Sequence, residues 1–188
     1  MKTLLRLIAM TMLVFFMSAC GGSSGGGSDD DGGLTNSGDT VQTGTVTSVI
    51  DGVTQKWYTV KVDNAAGIVN SAKISKLADG DLTVYVQSYD NTQMNGENNL
   101  QFSFTFPGAT ITTGQVTGTL FFYNGDNDSG AMHLTPFTIE LTTASGDETS
   151  AHLVGSFMLQ ATSVDSDTLI DVSVTFDVQA DKTEVLGL

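Results

Sequence analysis

The chain has 188 residues, 21 Asp and Glu against seven Lys and Arg, and a formal charge of −14. Two of those seven cations, Lys2 and Arg6, lie at the extreme N-terminus, and the rest of the chain has no arginine. A phosphate-tracking groove needs Lys or Arg, so nucleic acid is excluded as a partner, and so is a basic patch for anionic lipid.

Leu7 to Met17 form an apolar run behind the basic head, and Met17-Ser18-Ala19-Cys20 closes it with small residues. Basic head, short apolar run and small-residue junction define a secretory signal peptide, here residues 1–19. The run is shorter than the roughly 20 apolar residues of a bilayer span. Cys20 is the sole cysteine, so it has no disulfide partner within the chain. A free thiol there would oxidise in an oxidising compartment. The junction resembles the lipobox of bacterial lipoprotein signal peptides. That resemblance implies lipidation of Cys20 and a membrane partner reached through a lipid anchor. Gly21 follows the cysteine in place of the aspartate associated with inner-membrane retention, which implies the outer membrane. The side of that membrane is left open.

Residues 20–39 are the lipidated cysteine followed by Gly, Ser and Asp with one leucine, too little apolar surface to offset the entropy of ordering. They read as a flexible tether. Removing the signal leaves five lysines and all 21 acids, 5 − 21 = −16.

Residues 40–188 read as one all-β domain. Period-two alternation predicts strands near 41–50, 54–62, 68–77, 81–89, 98–106, 115–123, 132–142, 151–161 and 168–180. Ile170, Val172, Val174, Phe176, Val178 and Ala180, for example, alternate with polar residues. Half-polar strands indicate antiparallel pairing. Asp51-Gly52 and Asp79-Gly80 each separate two strand-like runs, a hairpin signal. Pro136 places the run 132–142 at an edge or divides it. About nine strands predict an antiparallel β-sandwich, with an antiparallel β-barrel as the alternative.

Catalytic residue types are scarce. There is no G-x-S-x-G elbow outside the Gly/Ser tether and no cysteine left to act as nucleophile. His133 and His152 lie on neighbouring runs. A hairpin centred near Gly146 sets His152 opposite Glu140 and keeps the two histidines too far apart for a shared metal. Trp57, the only tryptophan, is either a core residue or an outward anchor for a sugar or protein, with Tyr58 on the opposite face. Asn124, Asp126 and Asp128 alternate as in the start of a calcium loop. Thr135, where such a loop carries glutamate, breaks the pattern, so the alternative is a polar turn. No other cofactor is indicated.

The chain thus reads as an outer-membrane-anchored lipoprotein. Its β-domain is non-catalytic and binds a protein or glycan or serves the envelope structurally. The alternative is a carboxylate-dependent glycan-processing enzyme, which the number of acids permits.

Overall fold

A computed structural model describes residues 39–64, 67–92, 98–125 and 129–182. Cys20 and the tether up to residue 38 lie outside the described residues, and Asp39 already belongs to the first strand. The elements are β1 (Asp39–Ile50), β2 (Val53–Asn64), β3 (Gly67–Asn70), β4 (Ala72–Lys76), β5 (Leu82–Tyr89), β6 (Asn99–Phe106), β7 (Gly114–Asn124), β8 (Gly130–His133), β9 (Phe137–Gly146), β10 (Ser150–Ser163) and β11 (Leu169–Lys182). One 3-10 turn covers Pro107–Ala109.

The expected all-β antiparallel architecture is the one observed, with each expected strand in place. The count is eleven rather than nine because two runs are divided. Pro136 cannot donate to a ladder, and it separates β8 from β9. The separation is small. Phe121 opposite His133 and Gly118 opposite Phe137 place β8 and β9 along the same edge of β7, one residue out of register. His133 staples the break to β10. The Gln160 carbonyl lies 2.8 Å from its Nδ1, which therefore carries the proton, and Thr135 Oγ1 lies 2.9 Å from its Nε2. The other division falls at Ser71, which leaves β3 on β2 and passes β4 to β5.

The strand pairings close on themselves. Antiparallel neighbours run β1, β2, β5, β6, β7, β9, β10, β11 and back to β1, so the sheet has the topology of a barrel. The β2–β5 contact is a single pair, Tyr58 opposite Tyr89. At the other end of β11 the neighbour changes. β11 pairs with β1 from Val172 to Val178, then parallel with β4 at Asp181 and Lys182. A register shift between Gln42 and Gly44 marks where β1 leaves β11. Gly44 is required there, because a Cβ would collide with the Asp177 carbonyl and the Val178 backbone. The Asp51-Gly52 hairpin forms as expected, with φ of 48° and 78° at its two central residues.

Inward side chains fill the ring. Phe102 and Phe104 from β6, Phe157 from β10 and Phe176 from β11 are buried. Strands β6 and β11 are not neighbours, yet the Phe102 and Phe176 rings lie 5.0 Å apart, and Phe102 and Phe157 5.3 Å apart. The opposite walls therefore meet through aromatic rings. Outward positions of β11 are Asp171, Ser173, Thr175, Asp177 and Gln179, which alternate with the buried residues. Apolar inside and polar outside is the reverse of a membrane-spanning barrel. No helix among the described residues is long and apolar enough to cross a membrane.

The outer side of β5 carries two tyrosines held away from water. Tyr85 donates to Gln101 Oε1 at 2.6 Å. Burial raises its pKa, and the neighbouring Tyr89 charge adds to the effect. Burial also pushes Tyr89 up, to about 12. Both folded values lie above that of the unfolded chain. The associated stability is therefore complete below about pH 10 and is lost as pH rises through 12.

Thermal melts between pH 9 and 12 are expected to show falling stability that Tyr85→Phe with Tyr89→Phe makes shallower; identical profiles would refute this account. Phe102→Ala is expected to cost about 3–5 kcal/mol in urea unfolding, since it removes a ring shared by opposite walls. Met158→Ala, at an exposed outer position, is expected to stay within about 0.5 kcal/mol.

Candidate functional site

Trp57 is fully buried and is not a surface anchor. Its indole donates to Ser48 Oγ at 2.9 Å, and its ring meets Tyr123 edge-on at 5.8 Å. An indole N–H in a core needs such a partner. Tyr58, on the other face of β2, takes the outward position and is half-buried. The Lys56 ammonium lies 5.5 Å from the centre of its ring.

Asn124 closes β7 opposite Asn99 and Gly130. Asp126 and Asp128 lie outside the described residues, so the calcium pattern is represented here by Asn124 alone. Across that loop the Gly125 amide donates to the Ser129 carbonyl at 2.7 Å. Among the described residues, no group of three His, Cys, Asp or Glu side chains is gathered closely enough to hold a metal ion.

His152 does not face Glu140. The β9–β10 turn lies farther along than expected, because Gly146 pairs with Ala151. Glu140 therefore stands opposite Ser156, and His152 opposite Ser145. The turn has its own chemical cause: Asp147 Oδ1 accepts from the Thr149 and Ser150 amides at 2.8 and 3.3 Å. These bonds, together with one from the Thr149 hydroxyl, lower the Asp147 pKa. On the β11 side His152 stands opposite Gln179, and its Nε2 is 2.8 Å from Asp177 Oδ1. Both side chains are substantially exposed. Pairs of this kind contribute at most about 1 kcal/mol.

That contact borders an open groove of about 370 Å³ on the outer wall, running across β9, β10, β11 and β1. Its origin is local. Val154 pairs with Thr143 but Gly155 pairs with Leu141, so Thr142 is the extra residue of a bulge. Such bulges bend a strand and re-aim its side chains. Thr142 Oγ1 donates to the Val154 carbonyl at 3.3 Å. Gly155 fits beneath because a Cβ there would lie 2.6 Å from the Glu140 carbonyl and 2.8 Å from the Phe176 ring. The groove thus lies where one bulge interrupts the regular outer wall.

Its lining is rich in hydroxyls. Thr45 and Thr47 come from β1, Thr142 from β9, Ser156 from β10 and Thr175 from β11. Asp177 is the one carboxylate among the lining residues, and Val154 supplies apolar surface. The registers arrange these groups in rows. Ser156 lies beside Thr175, which lies beside Thr47, which lies beside Lys56. In the next row Val154, Asp177, Thr45 and Tyr58 follow one another.

Sequence reasoning missed Asp177 and the threonines as a group. The signal available was the alternation of Thr43, Thr45 and Thr47, which reads equally as the wet face of any strand. Comparison of the chain with protein-family models, curated proteins and solved structures gave no match.

Ser48→Ala is expected to leave the Trp57 indole N–H unpaired at a cost of about 1–3 kcal/mol. Urea unfolding followed by emission of the sole tryptophan measures it; an unchanged midpoint would show that the bond contributes nothing.

Proposed function

We propose that this protein is a lipid-anchored, non-catalytic binding module of the bacterial cell envelope, held at the outer membrane through Cys20. The observation that carries the binding reading is the position of the groove. The barrel interior is filled by aromatic rings, whereas the outer wall offers an open, hydroxyl-lined trough. The ligand class is a protein or a glycan. A purely structural role in the envelope leaves the trough without a purpose.

The alternative is a carboxylate-dependent glycan-processing enzyme. Two-carboxylate hydrolysis needs paired acids flanking one bond, about 5–9 Å apart. Asp177 lines the groove alone, and Glu140 sits on β9, with β10 between it and β11. This favours binding over hydrolysis.

The anchor reading has a direct test. Cys20→Ser is expected to leave the precursor without lipoprotein-type processing and to release the protein from membranes in high-salt washes. The anchor supplies about 0.8 kcal/mol per buried CH₂, and the polar outer wall supplies no substitute. A variant still processed and still membrane-bound after the wash would rule out the anchor. Release of reducing sugar from a glycan panel, abolished by Asp177→Asn, would establish the enzyme instead.

A further inference from the structure

We infer that the groove on the outer wall takes a neutral saccharide, held by the threonine hydroxyls and by the free oxygen of Asp177. This names the ligand class of the proposed binding site and rests on that reading.

The lining hydroxyls carry the first part of the argument. A hydroxyl donates one hydrogen bond and accepts others. Thr45, Thr47, Ser156 and Thr175 thus match a ligand whose own groups do both, which is the chemistry of a polyol. Outward residues two apart on a strand are separated by about 6.6 Å, and neighbouring strands by about 4.8 Å. Adjacent rows can therefore engage successive hydroxyls of an extended chain of sugars.

Asp177 carries the second part. His152 occupies Oδ1 at 2.8 Å, and Oδ2 has no partner among the described residues. A carboxylate oxygen accepts from a sugar hydroxyl in a charge-assisted bond, stronger than a neutral one. The same oxygen repels uronates, sulfates and phosphates, and the one nearby cation, Lys56, stands outside the lining with its ammonium against the Tyr58 ring. The overall charge of −14 acts in the same direction.

Strand pairing sets aside an extended peptide. Peptides join a sheet by adding a strand to an open edge. At the groove, β10, β11 and β1 are each paired on both edges, so its floor offers no backbone edge, and β9 beyond Leu141 pairs with β10 alone among the described strands. Recognition must come from outward side chains. Tyr58, half-buried beside Thr45, stands at the end of the Asp177 row, where a ring can meet the C–H face of a sugar.

The test is an amide-shift titration of the full mature chain, carrying Cys20→Ser for solubility. The probes are maltohexaose and the hexamer of N-acetylglucosamine, with hexagalacturonate as the anionic counterpart. One neutral probe is expected to shift the amides of Thr45, Thr47, Thr175 and Asp177, and hexagalacturonate is expected to leave them in place. Asp177→Asn should weaken that binding about tenfold, the worth of one charge-assisted bond. Thr45→Val with Thr47→Val keeps the methyl shape, removes two hydroxyls, and should also weaken binding several-fold. Glu140→Gln, outside the lining, should not alter it. Unchanged Trp57 emission verifies that each variant is folded. Hexagalacturonate binding as well as the neutral probes would overturn the inference. A photo-crosslinker at position 47 separates the remaining outcomes. Crosslinks to an envelope protein, with no saccharide shift, would overturn the saccharide and keep the binding site. Neither crosslink nor shift would overturn both.

Discussion

The contact between aromatic rings from opposite walls is the constraint on which the rest of the structure depends. Each strand alone is a half-polar ribbon, and a two-stranded hairpin of this kind is marginal in water. Phe102 and Phe104 on β6, meeting Phe157 and Phe176 on β10 and β11, turn a curled sheet into a body with an inside. Fully burying one such ring contributes about 1.5–3 kcal/mol. Small inward residues on the same strands make room for the rings. Gly155 precedes Phe157 and Ala161 follows Leu159 on the inward face of β10, and Ala180 follows Val178 on β11. The interior is a volume shared between large rings on some strands and small residues on others.

This packing decides where a ligand can bind. A barrel whose inside is occupied by its own side chains presents only its rims, loops and outer wall. The outer wall of a regular antiparallel sheet is nearly flat, and a flat polar surface holds small molecules poorly. The bulge at Thr142 breaks that flatness at one place. Gly155 lies beneath it and serves both sides of the sheet. Inside, it admits the Phe176 ring. Outside, it lies beneath Thr142 and Ser156 as part of the trough floor. The requirement of the core and the shape of the groove are therefore coupled through one residue. A larger residue at 155 would disturb the Phe176 ring before it altered any ligand contact.

Most strands were legible because the period-two pattern depends on local sequence alone. The run 168–180 and observed β11 differ by one residue at the start and two at the end. The division at Pro136 was legible because proline lacks the donor a ladder needs. The division at Ser71 was not. Its cause is a change of partner: the Ser71 amide bonds the Val60 carbonyl, and its own carbonyl accepts from the Gln87 amide. Closure of the sheet was illegible for a related reason. It rests on the parallel pairing of Asp181 with Lys73 and on one contact between Tyr58 and Tyr89. Neither leaves a periodic trace in sequence. The site suffered most. Placing His152 opposite Glu140 required the centre of a turn, and Asp147 moved that centre by capturing two backbone amides. The displaced hairpin put Ser145 beside His152 in place of Glu140, and the acidic partner comes from β11 on the other edge.

Asp177 shows why the site had to come from structure. In sequence it is one of several acids on the wet face of β11, indistinguishable from Asp171 or Asp181. Register gives each a different role. Asp171 accepts from the Gln160 amide at 3.0 Å, and Asp181 receives the Ser150 hydroxyl at 2.6 Å and the Lys61 ammonium at 3.6 Å. Asp177 has His152 on one oxygen and the groove beside it. The histidine steadies the carboxylate without enclosing it, since both remain exposed to water. An acid held in this way can accept a hydrogen bond at little cost in reorganisation. No second carboxylate stands among the lining residues to share in proton transfer with it. Its open oxygen is the acceptor on which the proposed binding reading rests.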